Sequence, residues 1–502
     1  MKICLVCDLH LPRIMSTLQY DALRWAVADA KRRGVGCVLV AGDITCDGTL
    51  IVYSNFVKQI EREFDVPVLY IPGNSDLRNP ETAAKIKKKA SPTVTEIGGV
   101  TVFALNDCDR HIAEDDLALL LRADKDSIVF MHHPIRSHDG QTRACLEQFV
   151  ASHPDTPLFY AHRHVSEVKG NLISLQALDP DKAIGEPPCV TYYDTESRKI
   201  EKVHYFAPVT ADFYNALGIS CYHPTADIPF ATERHLSAIE LRPNAWREDR
   251  ATLKALIRAW RASGGRDLCV HLPDVGYENG QVTAPDHYLP LLALAHEIGA
   301  DRVTQHVPLL SVAAADAHPE ALDRIASFVA DAVERTGGAR VIGIENMHMT
   351  AKDDANGDRR FGYTPEECLH FMNLVASHTH LEVGINLDLG HARNNAPFSQ
   401  TYQVGTWLSM LGQYVVGYHF HQVQKGENGF ENHMPVTSLH GGIINYTSFF
   451  KHWIRNSIRH VPVILEMRPK HAYEISLATL GEEVRSVSDL HTLIYIYHSE
   501  GR

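Results

Sequence analysis

The sequence predicts an α/β protein of two large domains. At 502 residues the chain exceeds what one ordinary core contains. Up to about residue 207, apolar strand-like segments alternate with helices and later follow one another more closely, so we expect a sheet that becomes partly antiparallel. From there on, eight apolar strands alternate with long helical segments, the pattern that a (β/α)8 barrel requires. We therefore expect domains at residues 1–207 and 208–502.

Each predicted strand is a short apolar run that ends in turn or polar residues. In the first domain these runs are KICLVC, GCVLVAGD, VPVLYIPGN, VTVFALND, SIVFMHHP, PLFYAHRH, NLISLQAL, CVTYYDT and KIEKVHYF. In the second domain they are ALGIS, SAIEL, DLCVH, RVTQH, VIGIE, GINLD, VVGYH and VILEM. The helical segment QYDALRWAVADAKRR separates the first two runs, which indicates an α/β unit.

The charge of the chain disfavours partners that need a basic surface. There are 48 Lys and Arg residues against 61 Asp and Glu residues, a net charge of −13. The charge divides into −4 up to Pro208 (24 basic, 28 acidic) and −9 after it (24 basic, 33 acidic). Neither half has the cationic surface with which proteins contact nucleic-acid phosphates. We expect a small-molecule partner and no nucleic acid.

Cysteine usage and hydropathy predict a reduced, cytoplasmic protein without a membrane segment. The ten cysteines have no spacing typical of a disulfide framework. Cys4 and Cys7 lie three positions apart on a predicted strand and face opposite sides, which disfavours a redox pair. The apolar run that begins at Ile3 stops at Asp8, unlike a signal peptide, and no apolar stretch approaches the ~20 residues that span a bilayer.

Five segments of the first half end in residue types that bind metals. Each follows an apolar run, so the ligands would collect at the ends of strands, where open α/β sheets place their sites. The segments are Asp8-Leu-His10, Gly42-Asp43, Gly73-Asn74, His132-His133-Pro134 and His162-Arg163-His164. Solvated turn histidines explain one such segment but not five in sequence. Carboxylate and amide oxygens mixed with imidazoles suit Mn, Fe or Zn.

In this order the five segments resemble the calcineurin-like metallophosphoesterase family, over most of residues 1–205. The resemblance implies a four-layer αββα sandwich that hydrolyses phosphoesters with two divalent ions. It implies that Asp43 bridges both ions and is the central catalytic carboxylate. The other ligands implied are Asp8, His10 and His164 for one ion, and Asn74, His132 and His162 for the other.

Two positions of the first half depart from the family's pattern. Ser75 stands where many relatives have a histidine that protonates the leaving group, and a serine hydroxyl is too weak an acid to replace it. We expect either a leaving group that needs little help or a proton from a neighbour, with His133 as the catalytic candidate and His138 as the alternative. Ala161 replaces the usual glycine before His162. This replacement requires only a more ordinary backbone conformation at that position.

The barrel half contains a second collection of metal-ligand residues. They lie at the C-terminal ends of predicted strands or in the loops that follow, where barrel enzymes place their chemistry. The residues are His271, His306, Glu345, Asp388, His391, His419, Glu431, His433 and Glu466. A single histidine at such a position is more often structural, but nine candidates from six successive strand–loop units are hard to explain by packing.

The segments ENM, NLDLGH, ENHMP and ILEMRP resemble the xylose isomerase-like TIM barrel superfamily, which includes AP endonuclease family 2 and many sugar isomerases and epimerases. The single-metal members imply the ligands Glu345, Asp388, His419 and Glu466. The endonuclease-like members add ligands for two further ions, here His271, His306, His391, Glu431 and His433. Glu431 stands where aspartate is usual, His421 is an alternative to His419, and Gln422 replaces a common acid. We expect up to three Zn or Mn ions in the barrel.

From these resemblances we predict that the protein is a bifunctional, metal-dependent phosphoesterase. The first domain would hydrolyse a small-molecule phosphodiester or phosphomonoester, and the barrel would act on the same substrate or on its phosphorylated product. Buried ligands without an ion lose solvation without compensation, which favours three ions over one, with Glu345 bridging two of them.

Three alternatives stay open. In the first, the barrel isomerises or epimerises a phospho-sugar, with Glu345 and Glu466 as acid and base. In the second, the barrel is an endonuclease of abasic DNA, although the only basic pair in this half is Arg359-Arg360, which could instead serve a single phosphate. In the third, one domain is a non-catalytic binding module.

Overall fold

The computed structural model describes residues 1–350, 352–355, 357–426, 429–468 and 472–499. These residues divide into two compact units. One unit contains Met1–Phe206 together with Leu439–Gly441 and Asn445–Ser448. The other contains Ala207–Ser438, Gly442–Ile444 and the residues from Phe449 on. The main division, after Phe206, lies one residue before the boundary expected from the sequence.

The first unit consists of eleven strands and five α-helices. The strands are β1 (Lys2–Val6), β2 (Cys37–Ala41), β3 (Val68–Ile71), β4 (Val94–Ile97), β5 (Val100–Ala104), β6 (Ile128–Met131), β7 (Leu158–Tyr160), β8 (Glu167–Lys169), β9 (Leu172–Ser174), β10 (Cys189–Asp194) and β11 (Ile200–His204). The helices are α1 (Leu18–Arg32), α2 (Leu50–Glu63), α3 (Pro80–Lys87), α4 (Glu114–Leu120) and α5 (Gly140–Ser152).

These strands form two sheets with both parallel and antiparallel pairs. The first sheet has the order β11-β10-β1-β2-β3, and the second has the order β4-β5-β6-β7-β9-β8. In the first sheet β1, β2 and β3 run parallel, whereas β10 is antiparallel to both of its neighbours. In the second sheet the central strands are parallel, and the edge strands β4 and β8 are antiparallel to theirs.

Apolar side chains fill three layers between the sheets and helices. Ile3 and Leu5 of β1 pack between the two sheets with Phe130 and Phe159 of the second. The opposite face of the first sheet packs against α1 and α2, and the opposite face of the second packs against α4 and α5. The predicted four-layer αββα sandwich is therefore confirmed.

The second unit contains twelve strands and twelve α-helices among the described residues. The strands are β12 (Leu217–Cys221), β13 (Ala238–Leu241), β14 (Asp267–His271), β15 (Gly276–Glu278), β16 (Gln281–Thr283), β17 (Arg302–His306), β18 (Val341–Glu345), β19 (Glu382–Asp388), β20 (Val415–Phe420), β21 (Gln422–Gly426), β22 (Gly429–Met434) and β23 (Val463–Leu465). The helices are α6 (Ala211–Asn215), α7 (Pro224–Glu233), α8 (Arg250–Ala262), α9 (Tyr288–Ile298), α10 (Val312–Ala317), α11 (Glu320–Thr336), α12 (Pro365–Ser377), α13 (Leu389–Arg393), α14 (Phe398–Thr401), α15 (Val404–Leu411), α16 (Thr447–Ile454) and α17 (Ala472–Ser499).

Eight of these strands close into a parallel barrel. Their order is β12-β13-β14-β17-β18-β19-β20-β23, and the pairing of β12 with β23 closes it. All eight strands predicted from the sequence are present, so the (β/α)8 barrel is confirmed. The remaining four strands form two hairpins, β15–β16 and β21–β22, on the loops after β14 and β20. Within the described ranges, no helix is long and apolar enough to cross a membrane.

Polar caps and left-handed glycines fix the ends of the barrel helices. The Asp249 carboxylate accepts a hydrogen bond from the backbone N–H of Thr252 at the start of α8, at 2.8 Å. Helices α9 and α11 end at Gly299 (φ 69°) and Gly337 (φ 62°), a conformation that glycine adopts without a steric cost. Because each helix returns the chain to the start of the next strand, the C-terminal ends of all eight strands meet on one face.

Candidate metal centres

The predicted ligands of the first domain lie on the turns that follow five strands. Asp8 and His10 follow β1, Asp43 follows β2, Asn74 follows β3, His132 follows β6, and His162 and His164 follow β7. Five of them have a left-handed backbone: Asp8 (φ 49°), His10 (φ 43°), Asp43 (φ 51°), His162 (φ 69°) and His164 (φ 56°). This conformation costs on the order of 1 kcal/mol or more for a residue other than glycine, and it is concentrated at functional sites.

Asp43 contacts histidines on two sides, as expected of a bridging carboxylate. Its Oδ2 lies 3.2 Å from His10 Nε2, and its Oδ1 lies 3.3 Å from His132 Nε2. The same nitrogen of His132 is 3.1 Å from Asn74 Oδ1. Nδ1 of His132 is bound to the carbonyl oxygen of Ala41 at 2.9 Å, which leaves Nε2 as its ligand atom.

The second carboxylate of this cluster, Asp8, is fully buried beside His164. Its Oδ1 is 3.6 Å from His164 Nε2 and has no hydrogen-bond partner within the part of the chain that the structure describes. Its Oδ2 accepts a hydrogen bond from the backbone N–H of His162 at 3.2 Å. The ligand atoms of Asp8, His10, Asp43 and His164 all lie within 4.8 Å of one another, as do those of His132, His133 and His162.

The electrostatics of this cluster suit divalent cations. Burial lowers the pKa of His132, but Asp43 and then Asp8 outweigh it and raise this pKa to about 9, because the ring lies between two carboxylates. Burial lowers the pKa of His162 to about 4 and that of His164 well below its ordinary value, so both imidazoles are neutral, which is the form that coordinates metals. Two buried carboxylates and several neutral imidazoles in contact therefore fit the two ions that the family implies.

Two glycines allow these turns to approach closely. A Cβ atom on Gly73 would overlap Asp43 Oδ1 and would lie 2.7 Å from His132 Cε1. A Cβ atom on Gly42 (φ 82°) would lie 2.6 Å from His132 Nδ1. Any side chain at either position would displace the Asp43–His132 contact.

Ser75 is a structural residue of the β3 turn. Its hydroxyl donates a hydrogen bond to the carbonyl oxygen of Thr45 at 2.6 Å, and its backbone N–H donates to Asp43 Oδ1 at 2.7 Å. The side chain is fully buried. The serine thus orients Asp43 through its backbone, and its hydroxyl is not available as a proton donor.

The proposed substitutes for the missing acid, His133 and His138, both contact Asp107. Nδ1 of His133 is 2.9 Å from the backbone oxygen of Asp107, so the ring's proton is on Nδ1, and Nε2 presents a lone pair without a hydrogen-bond partner among the described residues. His138 has Nε2 3.1 Å from Asp107 Oδ2 and Nδ1 3.2 Å from the oxygen of Ile135. In this arrangement His133 suits coordination better than proton donation, and both nitrogens of His138 are occupied.

Three carboxylates that sequence reasoning missed hold these turns. Asp107 accepts hydrogen bonds from the backbone N–H groups of His132 (2.8 Å) and His133 (2.7 Å). Asp76 accepts from the backbone N–H groups of residues 44, 45 and 73. Asp179 Oδ2 lies 3.2 Å from His10 Nδ1 and orients that imidazole. Asp107 could have been found, because it follows the predicted strand VTVFALND as the other ligands follow theirs.

The barrel places its predicted ligands at the C-terminal ends of six strands. His271, His306, Glu345 and Asp388 end β14, β17, β18 and β19, His419 lies in β20, Glu466 follows β23, His391 lies in α13, and His433 lies in β22. All of these except His306, which is partly buried, are buried. These eight residues form one continuous cluster.

Glu345 is the centre of this cluster. Its Oε2 is 3.1 Å from His271 Nε2, and its Oε1 is 3.6 Å from His306 Nε2 and 3.1 Å from His419 Nδ1. His391 Nδ1 also approaches Oε1, at 3.5 Å. A carboxylate that contacts four histidines on different sides has the arrangement needed to bridge two ions.

His419 faces three carboxylates with one nitrogen and a fourth carboxylate with the other. Its Nδ1 is 2.8 Å from Glu466 Oε2 and 3.8 Å from Asp388 Oδ2, besides the contact with Glu345. Its Nε2 is 3.1 Å from both oxygens of Glu240. The imidazole therefore donates Nε2–H to Glu240 and presents Nδ1 where Glu345, Asp388 and Glu466 converge, which fits one cation.

Glu466 is fixed by a buried arginine. Arg242 Nη1 lies 2.8 Å from Glu466 Oε1 and 3.2 Å from Glu240 Oε1, and the Tyr222 hydroxyl donates to Glu466 Oε1 at 3.2 Å. Burial raises the pKa of Glu466, but Arg242 and then His419 hold it well below its ordinary value. Sequence reasoning missed Glu240 and Arg242, although both lie at the end of the predicted strand SAIEL.

The third group of ligands differs from the expected one. Nδ1 of His391 is bound to the oxygen of Asn346 (3.0 Å) and Nδ1 of His433 to that of Glu466 (3.2 Å), which leaves both Nε2 atoms free to coordinate. Glu431 is exposed and lies outside the cluster. The structure does not bring Glu431 together with the other predicted ligands, and His433 has a left-handed backbone (φ 60°) that interrupts the alternation of β22.

The pair Arg359-Arg360 has internal partners. Arg359 pairs with Glu367 through two nitrogens, the longer contact being 3.1 Å. Arg360 Nη2 donates to the backbone oxygen of residue 307 at 2.6 Å and lies 3.2 Å from Asp274 Oδ1. Asp274 in turn is 2.8 Å from His306 Nδ1. Arg360 thus supports a ligand histidine through Asp274, and the idea of a free phosphate-binding pair does not apply.

Fold and site together define a chain of two domains from metal-dependent enzyme families. A family model described as calcineurin-like phosphoesterase superfamily domain matches residues 1–173. A model described as xylose isomerase-like TIM barrel matches residues 229–484, just over half of the chain. The chain belongs to the xylose isomerase-like TIM barrel family and has a calcineurin-like phosphoesterase domain at its N-terminus. Both resemblances seen in the sequence are confirmed.

Several solved structures are similar to one half of the chain, whereas no curated protein matches it significantly. A dimetal phosphatase from Danio rerio is 15% identical, with a TM-score of 0.29, over 38% of this chain and 92% of that one. Endonuclease IV from Thermus thermophilus is 20% identical, with a TM-score of 0.35, over 53% and 99%. A 3-keto-D-glucoside 4-epimerase from E. coli is 12% identical, with a TM-score of 0.36, over 53% and 98%.

Proposed function

We propose that the protein is a bifunctional, metal-dependent phosphoesterase with one catalytic centre in residues 1–207 and another in residues 208–502. The first centre hydrolyses a small phosphodiester or phosphomonoester. The second acts on the same substrate or on its phosphorylated product. The observation that carries the proposal is the same in both halves: one buried carboxylate, Asp43 or Glu345, contacts histidines on opposite sides.

In the first centre, Asp8, His10, Asp43 and His164 would hold one divalent ion. Asn74, His132 and His162, with Asp43 shared, would hold the other. Two such ions, when bound, would supply a clamp for phosphoryl oxygens and an activated water. Ser75 N–H and the left-handed turns keep Asp43 in its shared position.

The first centre acts best on acidic leaving groups. Ser75, His133 and His138 are the candidates for protonating the leaving oxygen, and each has its donor hydrogen engaged by a backbone oxygen or by Asp107. Without a general acid, the rate depends on how well the leaving group accommodates negative charge. We therefore propose a substrate whose leaving group is an acidic alcohol or an anion stabilised by its own structure.

In the barrel, the geometry of Glu466 favours phosphoester chemistry over isomerisation. In an isomerase that works by proton transfer with Glu345 and Glu466 as acid and base, each of these carboxylates must gain and lose a proton during turnover. Glu466 has one oxygen bound by Arg242 and Tyr222 and the other 2.8 Å from His419 Nδ1. It is therefore suited to coordinate an ion and unsuited to shuttle a proton, while the remaining ligands exceed what a single ion needs.

The proposal is tested on the full-length protein loaded with Mn or Zn. We expect release of nitrophenol from bis-p-nitrophenyl phosphate and of inorganic phosphate from members of a sugar-phosphate panel. We expect no incision of abasic duplex DNA at physiological salt, because neither half is basic.

Three results would contradict this assignment. Retained metal without hydrolysis of any phosphoester would overturn both halves. Ketose–aldose exchange without phosphate release, lost in Glu345→Gln, would make the barrel an isomerase. Efficient incision of abasic DNA at nanomolar enzyme would make it an endonuclease.

A further inference from the structure

A second buried histidine, His421, directly follows strand β20, and the proposed function does not use it. It lies two residues after His419, between β20 and β21. Its side chain is fully buried, and its ring centroid is 4.4 Å from that of His433 and 6.1 Å from that of His391. It occupies the region where Glu431 was expected to complete a third set of ligands.

The hydrogen bonds of His421 define which nitrogen bears its proton. The backbone N–H of His433 donates to His421 Nδ1 at 3.0 Å, so Nδ1 presents a lone pair. The oxygen of Gln422 also approaches Nδ1, but at a longer 3.3 Å. A neutral imidazole with a lone pair on Nδ1 has its proton on Nε2. This Nε2 lies 3.1 and 3.2 Å from the two carboxylate oxygens of Asp388, to which it donates.

We infer that His421 is a positioning residue and not a metal ligand. This inference rests on the proposed metal centre of the barrel. The Nε2–H group of His421 fixes the orientation of Asp388. Its Nδ1 accepts a hydrogen bond from the backbone of His433 and so holds that segment beside His421. Hydrogen-bonded partners of this kind orient coordinating carboxylates. The ligand atoms of His391, His421 and His433 lie within 4.8 Å of one another. Because Nε2 of His421 donates to Asp388, the third ion position would have two protein ligands among the described residues, His391 and His433.

A position with two neutral ligands binds an ion weakly and leaves coordination sites open. The two ions that would share Glu345 would have carboxylates to offset their charge, whereas a third ion held by His391 and His433 would have imidazoles alone. A phosphate oxygen can complete its coordination and add the missing negative charge. The third ion is therefore exchangeable in the free protein and is retained when a phosphoester is bound. An anion would accordingly bind on the side of the barrel mouth where His391 and His433 lie.

The test is metal content of the full-length protein after dialysis against Zn, with and without inorganic phosphate. We expect wild type to gain one ion per chain when phosphate is present. His391→Ala should abolish that gain and leave the other ions. His421→Ala should weaken an ion of the phosphate-independent set by about 10- to 100-fold without lowering the number bound at saturation. His421→Gln, whose amide can still donate to Asp388, should restore most of that affinity.

A spectroscopic comparison separates positioning from coordination. In the Co(II)-substituted protein, His421→Gln should leave the ligand-field bands at wild-type position, whereas His391→Gln should shift them. Glu431→Gln, at an exposed side chain, is the matched control and should change neither metal content nor spectrum. Loss of one ion at saturating Zn in both His421 variants, or a shifted spectrum in His421→Gln, would show that His421 is a ligand. Unchanged metal content in Glu345→Gln would instead overturn the barrel centre itself.

Discussion

The two candidate metal centres use the backbone in different ways. In the sandwich, five of the seven predicted ligands have positive φ, from 43° at His10 to 69° at His162. In the barrel, His433 is the one ligand among the described residues with a left-handed backbone. The sandwich brings its ligands together by sharp turns that cost conformational energy. The barrel brings them together by strand register.

Register alone explains much of the barrel centre. His306 and Glu345 are paired across β17 and β18, and Asp388 and His419 are paired across β19 and β20. Parallel neighbours in register place their side chains side by side on the same face. A site built in this way depends on the closed sheet, whereas the site in the sandwich depends on a few turns, so the two should respond differently to substitution.

The largest expected effect is that two variants each lose a different activity. Asp43→Asn should lower hydrolysis of bis-p-nitrophenyl phosphate by more than the about 10- to 100-fold typical of residues outside the coordination sphere, because it weakens both ions at once. Glu345→Gln should leave that rate within a factor of about two while it removes phosphate release by the barrel. Rates and metal content of the two full-length variants are the measurement. Equal losses in both variants would mean that the centres are not independent.

The dependence of the sandwich on tight turns is tested by Gly73→Ala. A methyl group there meets Asp43 Oδ1 and His132 Cε1, so we expect weaker metal binding and a loss of about 1–3 kcal/mol in the free energy of unfolding. Gly140→Ala is the control, because a Cβ atom at that first residue of α5 meets nothing within 4 Å. If the melting temperature and activity of the two variants agreed, the close approach would not matter.

Support of the barrel centre by strand residues is tested by Glu240→Gln. The amide cannot accept from His419 Nε2 as strongly as a carboxylate, so the metal affinity of the barrel should fall by about 10- to 100-fold. Diester hydrolysis by the sandwich should be unchanged. Glu382→Gln, at the exposed start of β19, serves as the comparison. Titration with Zn in a competing chelator measures the difference, and equal affinities would exclude Glu240 from this role.

The smallest expected effect concerns the missing acid. Rates of wild type on aryl and alkyl phosphoesters should fall steeply as the pKa of the leaving group rises, since no donor is available. Ser75→Ala should leave that slope unchanged and cost about 1 kcal/mol of stability through the lost hydrogen bond to Thr45. Equally fast wild-type hydrolysis of alkyl and nitrophenyl esters would contradict the absence of an acid.

The sequence was sufficient for the eight barrel strands, for nine of the eleven strands of the sandwich and for most of the residues that cluster at their ends, but not for β4, β8 and the two hairpins. A ligand-type residue after an apolar run can be recognised from the sequence, because strand ends converge in both folds. Asp179 and Glu240 also lie at the ends of predicted strands, so the same pattern could have marked them, but their partners His10 and His419 lie far away in the chain and cannot be read from the sequence. The exposed position of Glu431 could not be predicted either, because no pattern of side chains reveals a left-handed histidine in a strand.

Asp107 has a consequence for attempts to move this chemistry into another protein. The turn His132-His133-Pro134 keeps its shape because one carboxylate from the neighbouring strand binds two successive backbone N–H groups of the turn, and also binds His138. Grafting the three-residue turn alone would leave those N–H groups without an acceptor. The transferable unit is the pair of adjacent strands β5 and β6, and a designed scaffold that lacks an aspartate at the end of the first would present both histidines in the wrong direction.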